Sequence, residues 1–388
     1  MRRTYLDAAA AVPPAPEVRE AMARAAADLW ASPAGLHPDA AAPAAALQEA
    51  RGRVAALIGA ADPEEVVFTC GATEARNLAV TGLLSANRHL GRHAVITAVE
   101  HPAVTTAVLR LARDGVTHTA VGVDRDGLVD PGRLAAAAAP GTALVSVHHA
   151  QHEVGAVQDV AALVAAVRGT APEARIHVDA AETAGLLPLD VGALGADAVT
   201  VGGPAMGAPA WSGALWVRPG AGLHPLVTGG AQEGGKRAGP EDLPAIAGLG
   251  AAAALALAAM GTRAAHRRAM AERLAARLLA VPGVTLNGPP PGRRLPGNVH
   301  VSVDRVEGET LTAAMGARGV AASPGSACTA DAGKASPTLL AMGVEARDAH
   351  SAVLFGAGDA TTADEVDHAA AVFAEVVAAL RAMSPVGR

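Results

Sequence analysis

Between residues 64 and 219, seven short apolar runs alternate with Ala- and Leu-rich stretches of helical length. The runs fall at 65–69, 94–98, 117–123, 143–147, 175–179, 198–201 and 213–217. They are too continuously apolar for strands with one face in water, so the pattern predicts a largely parallel sheet covered by helices on both faces. After a long helical stretch near 243–280, short strands near 284–286, 299–303 and 351–355 mix with helices, which predicts a smaller α+β unit. Thr362 and Glu365 have the capping-box spacing, opening a last helix over 363–383. In α/β sheets, ligands sit at the carboxyl ends of strands, on the loops that lead into helices.

A chain of 388 residues is long enough for two or three units of roughly 150 residues each. Its 37 acidic and 31 basic residues give a net charge of -6, which offers no basic field for a polyphosphate backbone and excludes nucleic acid as the main partner. Two cysteines, Cys70 and Cys328, make no disulfide framework, and the first residues lack the apolar core of a signal peptide. A soluble cytoplasmic protein is the expectation. The apolar stretch 243–261 is long enough to cross a bilayer, but its Ala and Gly gain little from lipid, so a buried helix between the two units is expected instead. Lysine occurs only at Lys236 and Lys334.

Three strand-to-loop junctions carry candidate chemistry. Val66-Val67-Phe68-Thr69 runs into Cys70-Gly71-Ala72-Thr73-Glu74, where a glycine turn opens a helix with free N–H groups and a hydroxyl, the makings of a phosphate cradle. Ile176-His177-Val178-Asp179 ends a strand in a carboxylate that can pair with a pyridinium nitrogen or cap the next helix. Ser323-Pro324-Gly325-Ser326-Ala327-Cys328-Thr329 is a small-residue loop whose cysteine is either a presented thiol or inert core. His148, His149 and His152 cluster at a strand end without the helical spacing of zinc proteases, so altered pocket lining is preferred to a metal site.

In this order and spacing the chain resembles the NifS/IscS-type cysteine desulfurases, class V aminotransferases of the fold-type I pyridoxal phosphate (PLP) architecture. Further matches are Tyr5-Leu6-Asp7, Glu100-His101, Glu153-Val154-Gly155, Gly229-Gly230 with Gln232-Glu233-Gly234-Gly235, and Glu307-Gly308-Glu309. The resemblance implies a large PLP-type domain over 16–255 and a small domain formed by 1–15 and 256–388, which carries the Cys328 loop. By the same resemblance Thr73 and Ala72 hold the phosphate, His101 stacks on the ring, and Asp179 pairs with its nitrogen. Cys328 is then the nucleophile that carries a persulfide.

The match breaks where the family's cofactor is anchored. The family's Ser-Gly-His-Lys reads Gly202-Gly203-Pro204-Ala205, so Ala205 stands at the Schiff-base lysine, and alanine forms no imine. Pro240 replaces the threonine that reaches the phosphate across the dimer. Gln151-His152 replaces Asn-Asn, Glu182 the glutamine after the ring-binding aspartate, and Leu354 the arginine that clamps the substrate carboxylate. Cys70 stands for serine, while Lys236 and Lys334 read as solvated loop lysines.

The first reading is therefore a degenerate desulfurase homologue without covalent PLP. It would keep Cys328 as a persulfide acceptor, or serve as partner subunit of an active homologue in a homo- or heterodimer. Two alternatives follow: an enzyme holding PLP or pyridoxamine phosphate non-covalently, with His152 or Glu182 as base, and a purely structural dimer partner. Orthodox desulfurase activity ranks last. A sulfur donor or acceptor protein is the expected partner, with no metal, no nucleic acid and no membrane.

Overall fold

The computed structural model describes residues 3–325 and 335–383. Its strands, in chain order, are β1 (Thr4–Tyr5), β2 (Val66–Thr69), β3 (His93–Thr97), β4 (Thr117–Val121), β5 (Thr142–His148), β6 (Arg175–Asp179), β7 (Ala198–Gly202) and β8 (Gly213–Val217). These are followed by β9 (Val284–Leu286), β10 (Asn298–Val303), β11 (Val320–Ala321), β12 (Ser323–Pro324) and β13 (Ala352–Gly356). The seven apolar runs of the sequence are β2 to β8. They form one sheet of order β2-β8-β7-β6-β5-β3-β4, parallel except that β8 is antiparallel to both its neighbours.

Helices cover the central strands, and every residue of β5 and β7 is buried. At β4 the expectation of two covered faces fails. Thr117, His118, Thr119 and Ala120 are exposed, because β4 closes the sheet with β3 alone beside it. Its polar threonines and histidine suit such an edge.

A second sheet, β12-β13-β10-β9, is antiparallel throughout, and β1 pairs with β11 beside it. Its core gathers Leu274, Leu278, Val301, Phe355 and Phe373, the two phenylalanines meeting edge to face at 6.0 Å. The closing helix Ala363–Met383 starts as its sequence predicts: the Glu365 carboxylate accepts the Thr362 N–H at 2.8 Å, and the Thr362 hydroxyl accepts the Glu365 N–H at 3.3 Å.

One helix, Leu243–Leu279, serves both cores. Its 37 residues span about 55 Å. Asp242 caps it by accepting the Ala245 N–H at 3.0 Å. Its first half packs against the helices Pro16–Asp28 and Ala41–Ile58, with Leu249, Ala252 and Ala256 in the large core. The second half contributes Ala271, Leu274 and Leu278 to the small core. Among the described residues it is the one helix long and apolar enough to cross a membrane, yet 56% of its most apolar window is buried inside the fold. The alanines and glycines that gain little from lipid gain here by letting backbones approach.

Gly250 shows how close that approach is, since a Cβ there would lie 2.7 Å from Ala50 Cα. Gly261, in the same helix, faces open space. Gly250→Val is expected to lower the unfolding free energy by about 1–3 kcal/mol through overpacking. Gly261→Ala should raise it by about 0.5–1 kcal/mol through backbone entropy alone. Urea denaturation midpoints of the two variants check the opposite signs.

Candidate functional site

The carboxyl ends of the central strands open on a cavity of about 460 Å³, closed on its far side by Ser323, Pro324, Gly325 and Leu354 of the second sheet. Helix Ala72–Ala86 begins at its rim after Gly71, whose φ of 98° favours glycine. β8 crowds this turn, for a Cβ on Gly213 would come 2.6 Å from the Gly71 carbonyl carbon. Ala72 and Thr73 line the wall with the helix's first turn, a place suited to an anionic group. The segment leading to Cys328 thus borders the cavity, whereas Cys328 and Lys334 themselves lie outside the described residues.

Arg76, one turn further along that helix, also reaches the cavity. Its Nε donates to Asp179 Oδ2 at 2.6 Å, and its Nη2 stands 3.7 Å from Glu182 Oε1. Both partners of the first bond are 4% exposed. Asp179 Oδ1 accepts the Ala181 N–H at 3.1 Å, so both carboxylate oxygens are used. Breaking a buried pair of this kind costs about 3–5 kcal/mol, because the remaining charge is stranded.

The charges around Arg76 follow from it. Burial would raise the Asp179 pKa, but the Arg76 charge and hydrogen bond, helped by His177 and His101, hold it at about 2. Glu182 is pushed up to about 6 by burial; Arg76 opposes the rise and the Asp179 charge adds to it. His101 is lowered to about 4 by burial and then by Arg76. Its Nδ1 accepts the Ala103 N–H at 3.0 Å at the start of helix Pro102–Leu111, which leaves the proton on Nε2. His152 stands with its ring centre 5.1 Å from that of His101, and burial lowers it well below the ordinary histidine range.

Of the three clustered histidines only His152 lines the cavity. His148 is buried at the end of β5 with Nδ1 at 3.3 Å from Glu100 Oε1 and Nε2 at 3.1 Å from Gln158. His149 meets the Thr183 hydroxyl at 2.9 Å. β5 ends at His148, so His149 and His152 sit in the turn that follows, and of the three expected in the pocket lining His148 and His149 are bonded away from the cavity. No group of three potential ligands is arranged for a metal among the described residues.

Glu153 ties the cavity to the far end of the Cys328 segment. Its carboxylate accepts the Ser336 hydroxyl at 2.6 Å and the Thr338 hydroxyl at 2.7 Å. Gln151 braces it, accepting the Glu153 and Val154 N–H groups while its amide donates to Thr338. Burial raises the Glu153 pKa to about 7 against the opposing pull of those two hydroxyls.

The profile of the Aminotransferase class-V family matches residues 4–368. The chain belongs to that family. Cysteine desulfurase IscS 1 of Archaeoglobus fulgidus is 34% identical over 384 residues, covering 99% of each chain. A mouse cysteine desulfurase is 36% identical over 391 residues, covering 99% of this chain and 83% of that protein. The fold is that of a solved NifS-like protein, with a TM-score of 0.91 and 27% identity over 97% of this chain and 100% of the other.

Within this class-V fold, Ala72, Thr73, His101, His152, Glu182, Gly202, Pro204, Ala205 and Leu354 all line one cavity, as their sequence positions imply. Gly202 has no room for a side chain, because a Cβ there would come 2.8 Å from the Ala181 carbonyl oxygen. Asp179 lies behind Arg76 instead of on the wall, and Pro240 lies outside the wall, where its carbonyl accepts from Arg237. Cys70 does line it, its sulfur accepting from Arg237 Nη2 at 3.0 Å, while Lys236 does not. Arg76 is the residue that sequence reasoning missed. Its signal was an arginine among Ala75, Leu78, Ala79 and Leu83, on the buried face of a helix, a place where a charge needs a partner.

Glu153 and Glu182 ionise at about 7 and about 6 in the folded chain, against 4.5 for an ordinary glutamate. The folded state therefore binds more protons in that window, and stability falls as pH rises through it. Asp179, lowered to about 2, contributes stability above about pH 4 that is lost only as pH falls toward its folded value. Glu153→Gln, which keeps an acceptor for one hydroxyl, is expected to flatten the decline between about pH 5 and pH 7. Thermal melts of both proteins across that range test it; equal slopes would refute the assignment.

Proposed function

We propose that this chain is a sulfur-transfer member of its family that takes sulfane sulfur onto Cys328 from a persulfide-bearing protein. It does not release sulfur from free cysteine. The observation that carries this reading is Ala205 on the cavity wall, at the position of the Schiff-base lysine, beside the segment that leads to Cys328. No lysine among the described residues lines the cavity, so the described wall offers no amine to hold PLP covalently. The losses at Gly202, Pro204, Pro240 and Leu354 fall on the same cofactor and substrate anchors, whereas the Cys328 loop keeps the family's residues.

The transfer needs no cofactor. The Cys328 thiolate attacks the outer sulfur of the donor persulfide, a new S–S bond forms, and the donor's S–S bond breaks with the electron pair leaving on the donor thiolate. The proton on the outer sulfur travels with it, and no net oxidation occurs. A thiol of ordinary pKa, about 8.5, supplies a few per cent thiolate at neutral pH, enough for exchange. The same reading assigns residues 16–255 to a large domain and residues 1–15 with 256–388 to a small one carrying the loop. It gives the chain a second copy or an active homologue as its dimer partner. A second reading, PLP or pyridoxamine phosphate held without a covalent bond, draws on the retained first turn at Ala72 and Thr73.

Incubation with an active desulfurase and cysteine, followed by intact mass and peptide mapping, is expected to add one sulfur atom at Cys328 and none in Cys328→Ser. Without the active enzyme, no alanine should form from cysteine. An unmodified Cys328 rejects the acceptor reading, and alanine release by the chain alone rejects the loss of desulfurase chemistry.

A further inference from the structure

The Asp179 carboxylate is the group that a pyridinium ring would need, and here it is already engaged. Arg76 Nε donates to one oxygen at 2.6 Å and the Ala181 N–H takes the other at 3.1 Å. We infer that Arg76 is a specificity-determining residue that closes this cavity to pyridine-ring cofactors, a fixed side-chain cation standing where the ring nitrogen would pair. This extends the reading above, which concerns the covalent bond at position 205, to non-covalent binding as well. It does not depend on what Cys328 does.

The electrostatics favour the occupant in place. A guanidinium is charged at every working pH, so it never yields Asp179 by deprotonating. For a ring nitrogen to reach Asp179, Arg76 would have to leave. That would strand a cation only 4% exposed, with Glu182 at 3.7 Å as its remaining partner. If Arg76 stayed, two cations would share one carboxylate, and like charges at short range repel strongly away from water. Glu182, 3.7 Å from Arg76, is the second carboxylate open to two cations, and burial opposes its charge by pushing it up to about 6. Glu182 presents a further carboxylate to any phosphate-bearing ligand. Arg76 and the Ala181 N–H satisfy both oxygens of Asp179 from within the chain.

Restoring the lysine should therefore not restore the cofactor. PLP is titrated into the wild type, Ala205→Lys, Ala205→Lys/Arg76→Met and Ala205→Lys/Arg76→Met/Asp179→Asn, and bound cofactor is read by absorbance after dialysis. Ala205→Lys alone is expected to lose PLP on dialysis. The added Arg76→Met should tighten binding by about 10- to 100-fold, the worth of one charge-assisted hydrogen bond, and Asp179→Asn should remove that gain. Retention of PLP by the wild type or by Ala205→Lys overturns the inference, as does equal affinity with and without Arg76 in folded proteins.

Should Arg76→Met fail to fold, Arg76→Gln replaces it: it removes the cation, and its neutral amide can satisfy Asp179 yet yield it to a charged ring nitrogen, so the same gain in affinity is expected. The wild type supplies an independent measurement: saturating PLP should leave its melting temperature unchanged, and an upward shift counts against the inference. Sulfur loading of Cys328 is scored in a separate assay, so either proposal can fail while the other stands.

Discussion

A single buried ion pair sets the character of the cavity. Arg76 comes from the first turns of helix Ala72–Ala86 and Asp179 from the end of β6, so their bond joins the rim of the cavity to its floor. One permanent cation at that point keeps Asp179 ionised and opposes protonation of His101 and His152. The local turn at Ala181 takes its geometry from the same carboxylate. Burial shifts His101, His152 and Glu182 first, and the Arg76 charge acts on each of them in turn.

Much of this architecture is legible in the amino-acid sequence itself. The apolar runs mark all seven strands of the main sheet to within a residue or two, because strands covered on both faces cannot alternate with polar residues. The edge strand β4 departs from that logic, its outer flank having no neighbour to demand apolarity. The strand-to-helix motif marks Ala72 and Thr73, which lie on the cavity wall at the end of β2, and the family resemblance marks seven more residues of the same wall. His148 and His149 are harder to read. A cluster in sequence says nothing of facing, and each is hydrogen-bonded inside the fold. Arg76 is hardest, because its meaning lies in a partner 103 residues away.

The family fold hosts its chemistry in groups grafted onto a stable frame, and loss of those groups need not loosen the frame. Here the described residues keep the frame: a seven-stranded sheet and apolar clusters in both the large and the small parts of the fold. One stretch of the cavity wall, Gly202, Pro204 and Ala205, offers neither amine nor hydroxyl. Glu153, Gln151, Ser336 and Thr338 form a second network, with Glu153 on the same cavity. That network anchors the chain downstream of the thiol segment and touches the cavity wall through His152, 3.3 Å from Gln151.

The helix Leu243–Leu279 makes the two cores thermodynamically inseparable. Opening either core strips apolar cover from one half of the same rod, and most helical stability in a folded protein comes from tertiary packing of that kind. Fraying would then travel along the rod into the other core. Such a molecule should behave as one cooperative unit, with its slowest-exchanging amides shared between both sheets rather than confined to the larger one.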